Sequence, residues 1–134
     1  MADLPCPCGL ADARKQPLPY AQCCGRYLDD FDATPAPDAE SLMRSRYTAF
    51  VRERADYLLA TWHASRRPSR VTFDAGARWL GLEVRARRLV DDAHAEVEFV
   101  ARQRDASGRA SRLVEHSRFV REGGRWFYVD GDLG

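Results

Sequence analysis

Four cysteines form the grouping with the clearest chemistry, and all lie in the first 24 residues, as Cys6-Pro-Cys8-Gly9 and Cys23-Cys24-Gly25. Cysteines used only to fill a core would scatter along the chain. Two close pairs on separate turns can present four sulfurs to one tetrahedral ion, at Zn–S distances of about 2.3 Å. Gly9 and Gly25 directly follow the pairs, where tight turns call for positive φ. Pro5 and Pro7 restrict the first turn and lower the entropy cost of ordering it. A segment this short cannot build its own hydrophobic core, so a bound metal would supply much of its folding energy. The pattern predicts one structural Zn2+ on Cys6, Cys8, Cys23 and Cys24. Four thiolates close the shell and leave no position for water, which argues against a catalytic metal. Disulfides, ordinary buried thiols and an iron–sulfur cluster are the alternatives. Neighbours such as Cys23-Cys24 rarely bond to each other, and a reducing compartment disfavours disulfides altogether.

A second set of candidates lies near the C-terminal end. Gly123-Gly124 between two apolar-alternating runs reads as a two-residue type I′ hairpin loop, which sets the register. Glu122 then faces Arg125, Phe119 faces Tyr128 and Ser117 faces Asp130. One face of the hairpin carries Glu115, Ser117, Phe119, Tyr128 and Asp130; the other carries His116, Arg118, Val120, Phe127 and Val129. Glu115 and Asp130 become diagonal neighbours about 7 Å apart. If that face lines a pocket, two carboxylates among aromatics could bind a cation or act as acid and base. The competing reading is that Arg44, Arg46 or another arginine neutralises them in a structural network. A slip of one residue would overturn the assignment. Trp62-His63 ends a helical segment, where a histidine can sit against the negative end of the helix dipole or face a pocket as a base. Tyr47 reads first as core and second as a pocket floor. The pocket candidates are thus Tyr47, Trp62, His63, Glu115, Ser117, Tyr128 and Asp130.

The elements that must position these groups follow from periodicity. Tyr27 to Pro37 holds several aspartates and prolines without a period and reads as a linker. Asp38 is placed as an N-cap. Leu42, Met43, Tyr47, Phe50 and Val51 recur at helical spacing and give one apolar face. A second helix is expected over about Ala55 to His63, ending before Pro68. After Ala77 the period changes to two. Leu80, Leu82, Val84 and Ala86 alternate with polar residues, as do Ala95, Val97, Phe99 and Ala101; Asp105 to Gly108 reads as a turn, followed by Leu113 to Val120 and Arg125 to Asp130. The expected fold is α+β: helices packed on an antiparallel meander of about four strands.

Composition narrows the function classes. The chain has 134 residues, 45% apolar and 31% charged, which suits a globular domain with a short appendage. No apolar run approaches the roughly 18 residues that span a bilayer, and the start has no basic segment leading into an apolar one, so the expectation is a cytoplasmic protein without a signal peptide or membrane span. Formal net charge is +1, and a four-thiolate zinc site takes it to about −1. Arg66, Arg67, Arg70, Arg78, Arg85, Arg87 and Arg88 form a basic stretch, yet no nucleic-acid-binding motif accompanies it, and a solvated face is the favoured reading. A glycine-rich phosphate loop, a Gly-x-Ser-x-Gly elbow and a His-Glu-x-x-His pair are all absent from the sequence.

The segments Cys6-Pro-Cys8-Gly9 and Leu18-Pro-Tyr20-Ala-Gln-Cys23-Cys24-Gly25 resemble the zinc motif at the C-terminus of the SecA translocation motor (the SEC-C motif), which also opens the YchJ-like family of bacterial proteins. The resemblance to YchJ-like proteins continues through Ser41-Leu-Met-Arg44-Ser-Arg46-Tyr47-Thr-Ala-Phe50, Tyr57-Leu-Leu-Ala-Thr61-Trp62-His63, Glu115-His-Ser117-Arg118-Phe119 and Trp126-Phe-Tyr128-Val-Asp130-Gly131, nearly the whole chain. It departs in the first knuckle: the family motif reads Cys-Gly-Ser-Gly with a shorter gap, whereas here Gly9-Leu10-Ala11 opens a longer one containing Arg14-Lys15. The resemblance implies a zinc knuckle over residues 1–30 and a nuclear-transport-factor-two-like domain over 31–134, in which a curved sheet wraps a helix and leaves a conical pocket. It implies a knuckle that docks on a protein partner and a domain that holds a small ligand or a second protein. The alternative is a small pocket enzyme, an isomerase, dehydratase or hydrolase, using Glu115, Asp130 or His63.

Overall fold

The computed structural model describes residues 4–133; Met1 to Asp3 and Gly134, the outer ends of the two expected segments, lie outside the described residues. Helices precede a four-stranded antiparallel sheet, an α+β fold. The elements are α1 (Gly25–Leu28), α2 (Ala39–Val51), α3 (Ala55–Ala60), β1 (Arg78–Asp91), β2 (His94–Arg104), β3 (Ala110–Glu122) and β4 (Arg125–Leu133), with one 3-10 turn at Tyr20–Gln22. Strand order is β1-β2-β3-β4, a simple meander. Among the described residues, no helix is long and apolar enough to cross a membrane.

Helix α2 starts where the sequence places its cap: the Asp38 carboxylate accepts from Ser41 N at 2.7 Å, satisfying one of the orphan donors of the first turn. Burial of α2 differs from the single apolar face read from its spacing. Leu42, Met43 and Tyr47 are buried, and so are Ser45, Arg46 and Thr48. The physical reason is that α2 is covered on two sides, by the sheet and by the cysteine segment. Its buried polar groups are paired: Ser45 Oγ lies 2.8 Å from Tyr57 Oη, and Thr48 Oγ1 lies 3.7 Å from Cys6 Sγ. One hydrophobic cluster accordingly includes Cys6 and Cys24 at one end and Val97 and Phe119 at the other.

Three expectations need correction. The stretch after Tyr27 is no free linker. Tyr27 and Leu28 are buried in α1, the Phe31 ring packs edge-on against Tyr57 at 5.8 Å, and Arg125 Nη1 donates to the Phe31 carbonyl at 2.9 Å. The second helix stops at Ala60, short of His63, because the chain turns there to pair with β4: His63 N donates to Tyr128 O at 2.7 Å and Tyr128 N to Thr61 O at 2.8 Å. Leu80 and Ala86 do not join Leu82 and Val84 on the inner face. Register shifts in β1 between Trp79 and Gly81 and between Val84 and Ala86 turn Trp79 inward instead and leave Leu80 49% exposed, as bulges re-aim side chains.

The cap makes a direct prediction. Asp38→Ala lowers unfolding stability by about 1 kcal/mol, measured by urea denaturation, whereas Asp38→Asn, which keeps an acceptor, stays near the parent value.

Candidate functional site

Two sites lie on opposite sides of α2. On one side the cysteine segment forms a small hairpin. Cys6 N donates to Leu18 O at 2.8 Å and Leu18 N to Leu10 O at 3.0 Å. The extra residues of the long Cys8–Cys23 gap make its tip, where the Asp12 carboxylate accepts from Arg14 N and Gln16 N at 2.8 and 3.0 Å. The lengthening is therefore absorbed as an ordered, exposed tip and leaves the sulfurs converging. The four Sγ atoms are buried and lie within 4.8 Å of one another, with Cys8 and Cys23 3.6 Å apart. A tetrahedral ion with about 2.3 Å metal–sulfur bonds spaces its ligands about 3.8 Å apart, so the four cysteines can hold one metal ion with little adjustment. The thiols are free of disulfides.

The electrostatics of the cluster fit a cation at its centre. Hydrogen bonding from Cys23 holds the Cys8 thiol down at about 7, while hydrogen bonding to Cys23 pushes Cys24 well up. A divalent ion among the four sulfurs would allow all of them to ionise. Arg44 anchors the cluster to the body, donating through Nη1 to the Cys8 carbonyl at 3.1 Å and through Nε to Glu40 at 2.9 Å. Gly9 has the expected positive φ, 77°. Gly25 does not: it opens α1, and a Cβ there would lie 2.7 Å from the Tyr20 ring and carbonyl oxygen. Close approach, not backbone handedness, requires glycine at that position.

On the other side, α2 and the concave face of the sheet enclose a cavity of about 280 Å³. Tyr47, Trp62, Glu115, Ser117 and Tyr128 all line it, together with Arg46. Trp79 and Phe99 also line it, though their periodicity marked Phe99 only as core and gave Trp79 no role. Glu115 is held by two hydroxyls: Ser117 Oγ donates to its Oε2 at 2.5 Å and Tyr128 Oη at 3.1 Å. Gly131, opposite Ser117 in the ladder, makes room for this, since a Cβ there would lie 2.5 Å from the same oxygen. Its place in a strand was the available signal.

Arg46 is 6% exposed. Its Nη1 donates to the Leu58 carbonyl at 2.8 Å and to Thr61 Oγ1 at 2.7 Å. The guanidinium stacks on the rings of Trp62 and Tyr128, at 5.0 and 4.5 Å from their centroids. Burial pulls Arg46 down to about 10, which leaves it cationic at neutral pH. Burial, and then the nearby Glu115 charge, pushes the Tyr128 hydroxyl up. Burial also raises Tyr47, to about 12.

Asp130 and His63 are not in this cavity. The hairpin keeps its predicted register from Glu122↔Arg125 to Phe119↔Tyr128, then slips, so that Arg118 faces Asp130 and Ser117 faces Gly131. The extra residue is Val129. Its carbonyl accepts from Trp62 Nε1 at 3.2 Å, so a contact from the α3 end holds the bulge. The slip carries Asp130 to the outer face, where it pairs with Arg118 Nε at 2.6 Å, and the proposed Glu115–Asp130 pair does not form. His63 lies outside the cavity, with Nε2 2.8 Å from Glu122 and Nδ1 2.7 Å from Ser65 Oγ. The basic stretch spreads over separate partners: Arg66 to Asp130, Arg85 to Glu83 and Arg87 to Glu40.

Residues 38–131 match the family described as YchJ, middle NTF2-like domain. A UPF0225 protein of Polaromonas sp. is 71% identical over 127 residues, covering 95% of this chain and 91% of the relative. Two solved structures are similar. The solution structure of a SEC-C motif containing protein from Rhodopseudomonas palustris superposes with a TM-score of 0.79 at 30% identity, covering 96% of this chain and 98% of that one. The crystal structure of a SEC-C motif containing protein from Psychrobacter arcticus does so at 0.74 and 28%, covering 97% and 82%. With the match running from the cap of α2 into the end of β4, and close relatives spanning nearly all of both chains, the chain belongs to the YchJ-like family.

Proposed function

We propose that the protein is a cytoplasmic, non-enzymatic binding module: a head closed by one structural zinc ion that docks on a protein partner, joined to a cone that holds a small ligand. The observation that carries the reading is the content of the cavity. Glu115 is the one carboxylate among its lining residues, no histidine lines it, and Asp130 is bound to Arg118 outside. General acid–base chemistry calls for a positioned donor and acceptor at the reacting atoms, and a lone carboxylate held by two hydroxyls is better suited to orienting a ligand. The enzyme alternative through Glu115, Asp130 or His63 has lost two of its three residues from the cavity.

Zinc is favoured over other ions because four thiolates in a tetrahedral set suit it and a closed shell suits a structural role. Docking through the head is supported by its likeness to the SecA tail motif, by the similarity of the chain to two SEC-C motif containing proteins, and by the exposed Arg14-Lys15 tip. Arg14→Ala/Lys15→Ala should keep zinc and stability and weaken cross-linking to a partner that the parent chain captures; equal capture would place docking elsewhere.

Protein purified under reducing conditions without added metal should carry about one zinc per chain by elemental analysis, the stoichiometry of a four-thiolate site. Cys23→Ser/Cys24→Ser should lose it. Because Thr48 and Arg44 of α2 touch the cysteine segment, the loss should also lower stability of the whole chain, by about 3 kcal/mol or more. Metal-free protein of parent stability would refute the zinc reading. Gly25→Ala forces the second pair off Tyr20 and should release zinc to a chelator faster than the parent does, read with a colorimetric zinc indicator.

A further inference from the structure

The cavity has a charge pattern that selects among ligands. Arg46 spends only Nη1 on protein acceptors. Its Nε and Nη2 make no hydrogen bond among the described residues, where every fully buried side-chain nitrogen or oxygen has a partner. These two donors are therefore not sealed in, and the cavity is the space that Arg46 lines. Glu115 has the complementary arrangement: Oε2 accepts from Ser117 and Tyr128, while Oε1 has no partner among the described residues. One side chain spans the two groups, for the Tyr128 ring lies under the guanidinium and its hydroxyl donates to the carboxylate. The remaining wall is apolar and aromatic, including Tyr47, Phe50, Trp79 and Phe99.

We infer that the cavity takes a small, net-uncharged molecule with a flat apolar body and a polar head that presents an acceptor to Arg46 and a donor to Glu115. The inference rests on the small-ligand reading above. It follows from desolvation. One cation and one anion already balance inside the cavity, so a ligand with a single net charge would bring in a charge with no counter-ion, and burying such a charge is costly. A lone carboxylate would meet Arg46 but repel Glu115; a lone ammonium would do the reverse. Two chemistries give the matched head: a primary amide, with its carbonyl to Arg46 and its NH2 to Glu115, and an α-amino acid zwitterion, with its carboxylate to Arg46 and its ammonium to Glu115. At about 280 Å³ the space is at the small end of ligand pockets, which start near 300 Å³, and suits a single ring.

The test is a probe series on the purified full chain: benzamide, phenylalanine, benzoate and benzylamine, followed by quenching of tryptophan fluorescence, since Trp62 and Trp79 line the cavity, and confirmed by calorimetry. Benzamide or phenylalanine should bind about tenfold or more tighter than benzoate and benzylamine, and which of the two binds identifies the head. Glu115→Gln keeps the shape and removes the anion, so benzoate should gain about tenfold or more, while the melting temperature of the ligand-free chain falls because Arg46 loses its counter-charge. Benzoate or benzylamine binding as tightly as the neutral probes, or a ranking unchanged in Glu115→Gln, overturns the inference and leaves the ligand reading standing. No saturable binding by any probe to folded protein overturns both.

Discussion

An arginine only 6% exposed inside a small domain constrains everything packed around it. An ion buried without partners costs several kcal/mol, so the chain must bring acceptors to Arg46. It does so with the last turn of α3, whose Leu58 carbonyl and Thr61 hydroxyl accept from Nη1, and with the aromatic faces of Trp62 and Tyr128. Those contacts fix where α3 ends. Once Thr61 and His63 exchange backbone hydrogen bonds with Tyr128, Trp62 reaches the Val129 carbonyl and β4 must bulge. The bulge then decides which acidic side chain faces the cavity. A single buried cation on α2 is thus linked, through α3, to the register of a strand more than eighty positions later in sequence.

Helix α2 also joins the two sites. Its Thr48 touches the cysteine cluster and Arg44 holds the Cys8 carbonyl, while Arg46, Tyr47 and Phe50 line the cone. Consecutive residues of a helix point in different directions, so a metal held by the cysteines and a ligand in the cavity would act on the same rod. The head is packed into the common core, and a metal bound there would stabilise the element that forms the cavity roof.

The features that the sequence determined are those set by neighbours along the chain. The cysteine pairs lie close in sequence, and their convergence needs only two turns. The Asp38 cap, the α2 span, the antiparallel meander and the Gly123-Gly124 loop are local signals, and Glu115, Ser117 and Tyr128 were legible as one face because alternation holds up to Phe119↔Tyr128. What only the tertiary structure decided depends on contacts between distant segments. Asp130 left the cavity because a tryptophan from another element holds a one-residue bulge, and with a period of two a single extra residue sends every later side chain to the opposite face. Gly25 owes its place to the Tyr20 ring, the supposed linker is pinned by Arg125 and Tyr57, and Trp79 replaces Leu80 inside because β1 bulges. Local pattern carries no record of such contacts, because each is chosen by what the fold brings alongside.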